Sequence, residues 1–319
     1  MSDLSSIREI LVLRRGGLGD LLCSIPMAKL LQKKTNAVRP LFLIEKAQHA
    51  LSKYFSSTID FEVLASGNKY FSVLKEALRR RKKVDLAICA KTSPMKLNDY
   101  FLLLLNAKKS LAYVDKNTWH GKKLENCPAF SKKNSDKRHQ ALKNLQLIAP
   151  EIEEIPHELF PKILLPKKPP AFKTNPSLPL IFINLSYNRK TSHPQSLYPR
   201  TLNPLFNKKK FEVVISAQEA DLPQAFFLQK TLKATSFIFF SRDFEQFIQT
   251  LNLCDLCFVG DGGCMHLAAA LDKKVIALFG QTSPEQWRPM SEKAKCFHHQ
   301  QNAEKISAKL VLEALEQFI

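Results

Sequence analysis

The residues best suited to chemistry lie in two glycine-rich turns far apart in the chain. One is within Val259–Pro289 (VGDGGCMHLAAALDKKVIALFGQTSPEQWRP), where an apolar strand pattern ends at Gly260, Asp261-Gly262-Gly263 follows, and a helix pattern starts at once. Two adjacent glycines let the backbone approach a ligand closely. The free N–H groups that open the helix present the positive end of its dipole. Such a turn is an anion site of the kind doubly wound folds use for phosphate groups. His266 falls in the first helical turn and can add a donor to a phosphate oxygen. The plainer alternatives are an ordinary tight turn for the glycines and a capping or core role for the histidine.

The other turn is in Arg14–Pro26 (RRGGLGDLLCSIP), which reads as a strand end, a loop and a helix expected to open at Asp20. Gly16, Gly17 and Gly19 do not fit the G-x-G-x-x-G spacing, and no G-K-[ST] follows. Asp20 reads either as a helix N-cap or as a general base, which a hydroxyl nucleophile needs to lose its proton. A third segment, Asn184–Pro194 (NLSYNRKTSHP), begins where another strand pattern ends. Its Ser186, Arg189, Lys190 and Thr191 supply donors and positive charge that suit a departing diphosphate, or else form a solvated basic loop. Glu219 and Asp221, just after the strand pattern Glu212–Ser216, are candidates for binding ribose hydroxyls.

Other chemistries find little support. No His/Cys/Asp group has metal-ligand spacing, and no G-x-S-x-G occurs. His298 and His299 are adjacent on an expected strand, so their rings point to opposite faces. Cys254-x-x-Cys257 straddles a helix end and a strand start with no second pair nearby, which reads as two core cysteines. Seven cysteines at irregular spacing fit a reducing compartment.

The elements that must position these residues alternate. Strand patterns at Glu9–Arg14, Leu41–Glu45, Phe61–Leu64, Val84–Ala90 and Leu111–Val114 are separated by helical ones, including Lys69–Arg81, Pro94–Asn106 and Ser135–Ile148. The stretch KNTWHGKK at Lys116–Lys123 has no strand–helix frame and reads as a loop, either solvated or lining an acceptor. Six of the 18 prolines fall in Pro161–Pro179, which reads as a linker. A second alternating block follows. The pattern predicts an α/β protein of two doubly wound domains, 1–165 and 166–319, with a cleft between them. The final helix, about 303–319, is expected to pack back on the first domain.

The 319 residues carry a net charge of +19, and residues 1–165 hold 29 basic and 16 acidic side chains, so most of the excess lies in the first half. A basic surface attracts nucleic acid, anionic lipid or a phosphorylated substrate. The spread of the charge and the lack of a binding module argue against nucleic acid. The run Arg79–Lys83 (RRRKK) reads as a solvated helix end or as a membrane-surface contact. No stretch nears the roughly 20 apolar residues of a membrane span, and the polar start gives no signal peptide, so a cytoplasmic protein is expected.

These motifs together resemble the bacterial heptosyltransferase family, the inverting glycosyltransferases of lipopolysaccharide core assembly (glycosyltransferase family 9). D-G-G-C-M-H-L-A-A-A-L followed by L-F-G-Q-T-S-P is similar to the family's D-[ST]-G-x-x-H-x-x-A-A-x-x-x-P-x-x-x-x-[FY]-G-x-T, and L-G-D-L-L at Leu18–Leu22 resembles its [LI]-G-D-x-[ILV] opening. The resemblance implies a GT-B fold of two Rossmann-like domains facing a central cleft. It also implies ADP-heptose as donor, an anionic lipopolysaccharide core acceptor held mainly by the first domain, work at the inner face of the cytoplasmic membrane, and no metal or other cofactor. It assigns Asp20 as the base, and Asp261, Gly262, Gly263 and His266 to the diphosphate loop. The sequence departs from the family at three places. Gly262 stands for the usual Ser or Thr. Lys-x-Trp-Pro is replaced, in one of two registers, by Thr191–Pro194 or Ser196–Pro199. Lys274 stands for proline. These leave open a different donor sugar or a non-catalytic nucleotide-sugar-binding relative.

Overall fold

A computed structural model of the chain describes residues 4–129, 137–166, 168, 172, 174–185 and 195–319. The chain divides into two compact units, Met1–Pro161 and Lys162–Ile319.

In the first unit, β1 (Ile10–Arg14), β2 (Leu41–Ile44), β3 (Asp60–Val63), β4 (Leu86–Cys89) and β5 (Lys109–Leu111) form one parallel sheet in the order β3-β2-β1-β4-β5. The runs ILVLR and LAIC are buried along their whole length. Continuous burial is the mark of a parallel strand covered by helices on both faces. Chain order reverses beside β1, so the C-terminal ends of β1 and β4 flank a topological switch point, the position where open α/β sheets take ligands.

The second unit repeats the logic with β6 (Leu180–Asn184), β7 (Glu212–Ser216), β8 (Ser236–Phe239), β9 (Leu256–Gly260), β10 (Lys274–Phe279) and β11 (Ala294–His298), ordered β11-β10-β9-β6-β7-β8 and all parallel. Here the switch lies between β6 and β9, paired through Ile181–Leu256 and Phe182–Cys257. The motifs after these two strands, Asn184–Pro194 and Asp261–Gly263, therefore leave neighbouring strand ends.

Several expectations need correction. The helix expected to open at Asp20 starts at Leu18, ends at Leu22, and is followed by a separate helix, Ile25–Lys34. Pro26 causes the break, because it has no N–H to donate to Leu22. The expected loop at KNTWHGKK contains a short helix, Trp119–Lys123, capped by Thr118 and pinned by a buried His120 Nδ1–Asp99 Oδ2 contact of 2.6 Å. Burial pushes the Asp99 carboxyl up, and the hydrogen bond with His120 offsets part of that. Nothing local in the sequence announces that long-range pair. The closing helix, Ala308–Phe318, packs within the second unit against the helix Leu197–Lys208 and β10. Its apolar residues Val311, Ala314 and Leu315 complete the second unit's core.

Candidate functional site

In the first unit the site is organised around Arg14, the last residue of β1, which is 2% exposed. A buried arginine must find partners for its fork of donors. Arg14 Nη2 donates to Asp20 Oδ1 at 2.7 Å, Nε donates to the Asp20 carbonyl at 2.8 Å, and Nη1 donates to the carbonyl of Ala90, just beyond β4. One guanidinium thus ties the turn after β1 to the end of β4 across the switch point.

Asp20 sits at the third position of its helix, not at the cap, which is Gly17. Its Oδ2 accepts the Gly17 N–H at 2.9 Å, so the carboxylate reaches back to the helix start as in a capping box. Gly16 makes this possible. Its φ is +128°, and a Cβ there would lie 2.5 Å from Asp20 Oδ2. Asp20 therefore has a cap-like backbone bond and a cationic partner, and it stays 22% exposed. Each oxygen has one protein donor, and an ionised carboxylate has roughly four acceptor positions. Capacity to accept a further hydrogen bond remains. The cap reading and the base reading are compatible in one side chain.

The turn is braced from below. Gln48 Nε2 donates to the Gly17 carbonyl at 3.1 Å, and Asn144 Nδ2 donates to the Cys23 carbonyl at 3.1 Å. Burial pushes the Cys23 thiol up to about 12, with Arg14 pulling the other way, so it stays protonated and is not a rival nucleophile.

In the second unit β9 ends at Gly260, and the helix Gly263–Ala270 begins three residues later with Gly262 at its cap. Among the described residues a Cβ on Gly262 would meet nothing within 4 Å, so the space beside this cap residue is open among them. Asp261 is anchored by its N–H to the Leu278 carbonyl at 2.9 Å and by the hydroxyl of Thr282, which donates to its Oδ2. Burial raises the Asp261 carboxyl above the usual aspartate range, and the Thr282 bond offsets part of that. A carboxylate kept at such a cost beside an open helix terminus is a functional-site signal. His266 is 3% exposed and lies one turn into the helix, among buried residues.

Ser186, Arg189, Lys190 and Thr191 lie outside the described residues, as does the Thr191–Pro194 register. The alternative register is described. Tyr198 is fully buried, its ring 4.9 Å from that of Phe258 at 81°, so the aromatic before Pro199 is a core residue of the second unit. Glu219 and Asp221 occupy a short 3-10 turn after β7, and Glu219 holds an exposed pair with Arg242 at 2.6 Å. Lys274, the proline departure, opens β10 at the end away from the Asp261 turn, where its Nζ donates to the Phe318 carbonyl. That substitution bears on the closing helix and not on the Asp261–Gly263 turn. Among the described residues no group of three His, Cys, Asp or Glu is placed to hold a metal ion.

Two side chains escaped the sequence reading. Arg14 had one signal, an arginine ending an apolar strand. Thr282 stood inside the quoted L-F-G-Q-T, but its bond to Asp261 is visible only in three dimensions.

Residues 119–314 match the family model for glycosyltransferase family 9 (heptosyltransferase). The chain belongs to this family. It is 41% identical over 51 residues to lipopolysaccharide heptosyltransferase 2 of Salmonella typhimurium, a stretch that covers 16% of this chain and 15% of that protein. In overall structure it is similar to a family 9 glycosyl transferase from Veillonella parvula (TM-score 0.76, 14% identity, 99% of this chain and 98% of that one). It is also similar to the E. coli ADP-heptose lps heptosyltransferase II (TM-score 0.74, 16% identity, 97% and 98%). At these identities the likeness is one of fold. The family 9 chain has the GT-B type of architecture, two Rossmann-like units with parallel sheets.

The open space at Gly262 makes a direct prediction. Gly262→Ser restores the hydroxyl usual in the family, and its Cβ meets no described atom within 4 Å. It should fold normally and tighten ADP binding by up to about tenfold, the worth of one hydrogen bond. Isothermal titration of both proteins with ADP measures this, and weaker binding by the variant would count against a phosphate in front of that turn.

Proposed function

We propose that this family 9 chain is an inverting heptosyltransferase that moves heptose from ADP-heptose to an anionic lipopolysaccharide core acceptor at the cytoplasmic membrane surface. The observation that carries the reading is the open helix terminus at Gly262-Gly263, at the switch point of the second sheet, with Asp261 anchored beside it. Helix N-termini in this position hold phosphate groups. The like fold of the E. coli ADP-heptose lps heptosyltransferase II also supports this donor.

The acceptor oxygen attacks the anomeric carbon, the carbon–oxygen bond to the diphosphate breaks, and Asp20 accepts the acceptor's proton. The departing ADP carries the negative charge. The helix terminus after Gly262 meets it, aided by Arg189 or Lys190 and by donors from Ser186 and Thr191. His266 takes part only if its ring reaches past the turn, since it is nearly buried. These groups supply the charge a metal would, so the reading calls for none. Asp261 suits a different task from phosphate binding, because a carboxylate accepts hydrogen bonds and repels phosphate. Its unanchored oxygen suits a hydroxyl of the transferred sugar. Glu219 and Asp221, after the second strand of their sheet, stand where a doubly wound fold holds ribose hydroxyls.

The test is a turnover assay with ADP-heptose and a heptose-free core acceptor, beside ADP-glucose and UDP-N-acetylglucosamine as alternative donors. Transfer from ADP-heptose alone is expected. Transfer from another donor would overturn the sugar assignment, and nucleotide binding without transfer would overturn the catalytic one.

A further inference from the structure

The helix Lys69–Arg79 presents two faces, and only one is used by the fold. Ser72, Val73 and Ala77 are buried against the first unit's core. On another face Phe71 is 70% exposed and Leu78, two turns on, is 55% exposed, with Leu74 partly buried between them and Tyr70 54% exposed beside them. Phe71, Leu74 and Leu78 stand at i, i+3 and i+7, one stripe of the helix. Asn68 caps the helix through its side chain, which accepts the N–H groups of Tyr70 and Phe71 at 2.9 and 3.3 Å, so the two aromatics are held at a well-formed helix start. A contiguous apolar patch turned to solvent is the kind of surface that marks an interaction site.

The charges around the stripe are one-sided. Residues 62–83 hold seven Lys and Arg against Glu62 and Glu76. Both glutamates are already engaged by Arg79 and Arg80. Lys75, Arg81, Lys82 and Lys83 are exposed, and none has a carboxylate partner among the described residues. Lys75 lies on the stripe itself, where its long stem can follow the apolar surface and leave the ammonium free.

We infer that this face docks on an anionic lipid bilayer, with Phe71 and Leu78 entering the headgroup boundary and Lys75 and Arg81–Lys83 meeting the lipid phosphates. A bilayer offers apolar depth and negative charge in the layered arrangement that this stripe and its flanking cations present. A second copy of the chain fits poorly, because it would bring the same unpaired cations against these. This face deepens the membrane contact in the proposed function, and because its residues lie apart from those assigned to transfer, vesicle binding and turnover can fail separately.

Sedimentation of the full chain with vesicles tests it. Binding is expected to phosphatidylcholine vesicles containing phosphatidylglycerol and not to phosphatidylcholine alone, and it should weaken as salt screens the cations. Lys82→Gln/Lys83→Gln should lower partitioning about thirty-fold, the effect of removing two charges near the surface. Phe71→Ser/Leu78→Ser should lower it at least about tenfold through lost apolar burial. Both variants alter exposed side chains and should keep the wild-type circular dichroism and ADP affinity. Equal binding to neutral vesicles, no binding to either kind, variants that sediment like the wild type, or a concentration-dependent dimer abolished by Phe71→Ser/Leu78→Ser would each overturn the assignment.

Discussion

Asp20→Asn should lower turnover by about a hundred- to ten-thousand-fold, the usual contribution of a general base, and leave ADP affinity unchanged. The two effects separate because Asp20 belongs to the first unit, and the turn after β9, where the donor phosphate is proposed to sit, belongs to the second. An asparagine oxygen still accepts from Arg14 Nη2, but its amide then faces the Gly17 N–H that Asp20 Oδ2 now accepts. Two donors then oppose each other, and a stability loss of about 1–3 kcal/mol should accompany the change. A chain that unfolds earlier yet turns over at the wild-type rate would reduce Asp20 to a capping residue. Single-turnover kinetics with saturating donor make the measurement clean, because they report the chemical step apart from product release.

The largest effect on stability is expected from Arg14→Met. The substitution keeps an unbranched stem, shorter by two atoms, and removes every donor. The half-buried Asp20 carboxylate loses its counter-ion and the fully buried Ala90 carbonyl loses its donor. Breaking such a pair by removing one partner typically costs about 3–5 kcal/mol, because a charge is left uncompensated. Urea denaturation should show the midpoint of the first unit's transition falling sharply. The double variant Arg14→Met/Asp20→Asn should recover part of the loss, since the stranded charge is gone and residues in direct contact do not add. Full additivity would mean that the ion pair is not what Arg14 contributes.

These two residues also mark the limits of sequence reading. Asp20 is visible in the sequence as a carboxylate in a glycine-rich turn, but its position in the helix is not. The helix start depends on the left-handed backbone at Gly16, and the helix end on Pro26, which breaks the hydrogen-bond ladder one turn later. Arg14 drew attention only as a strand end. Its role needs Ala90, 76 residues away, and that contact exists because β1 and β4 are neighbours in the sheet.

The amino-acid sequence by itself determined the alternation of elements and most strand positions, since continuous apolar runs bounded by polar turns leave few choices for a parallel sheet. It also determined the two glycine-rich turns, because their chemistry is local. Tertiary structure alone decided which of those residues meet. It joined Asp261 to Thr282, closed His120 onto Asp99, sent Tyr198 into the core, and packed the last helix onto its own unit. Each of these depends on partners distant in the chain, and the periodicity of a segment does not say which partner buries its apolar face or satisfies its polar group. The stripe of Phe71 and Leu78 shows the same limit from the other side: the pattern of Lys69–Arg79 announced a helix, and only the packed fold showed that an apolar part of it was left facing water.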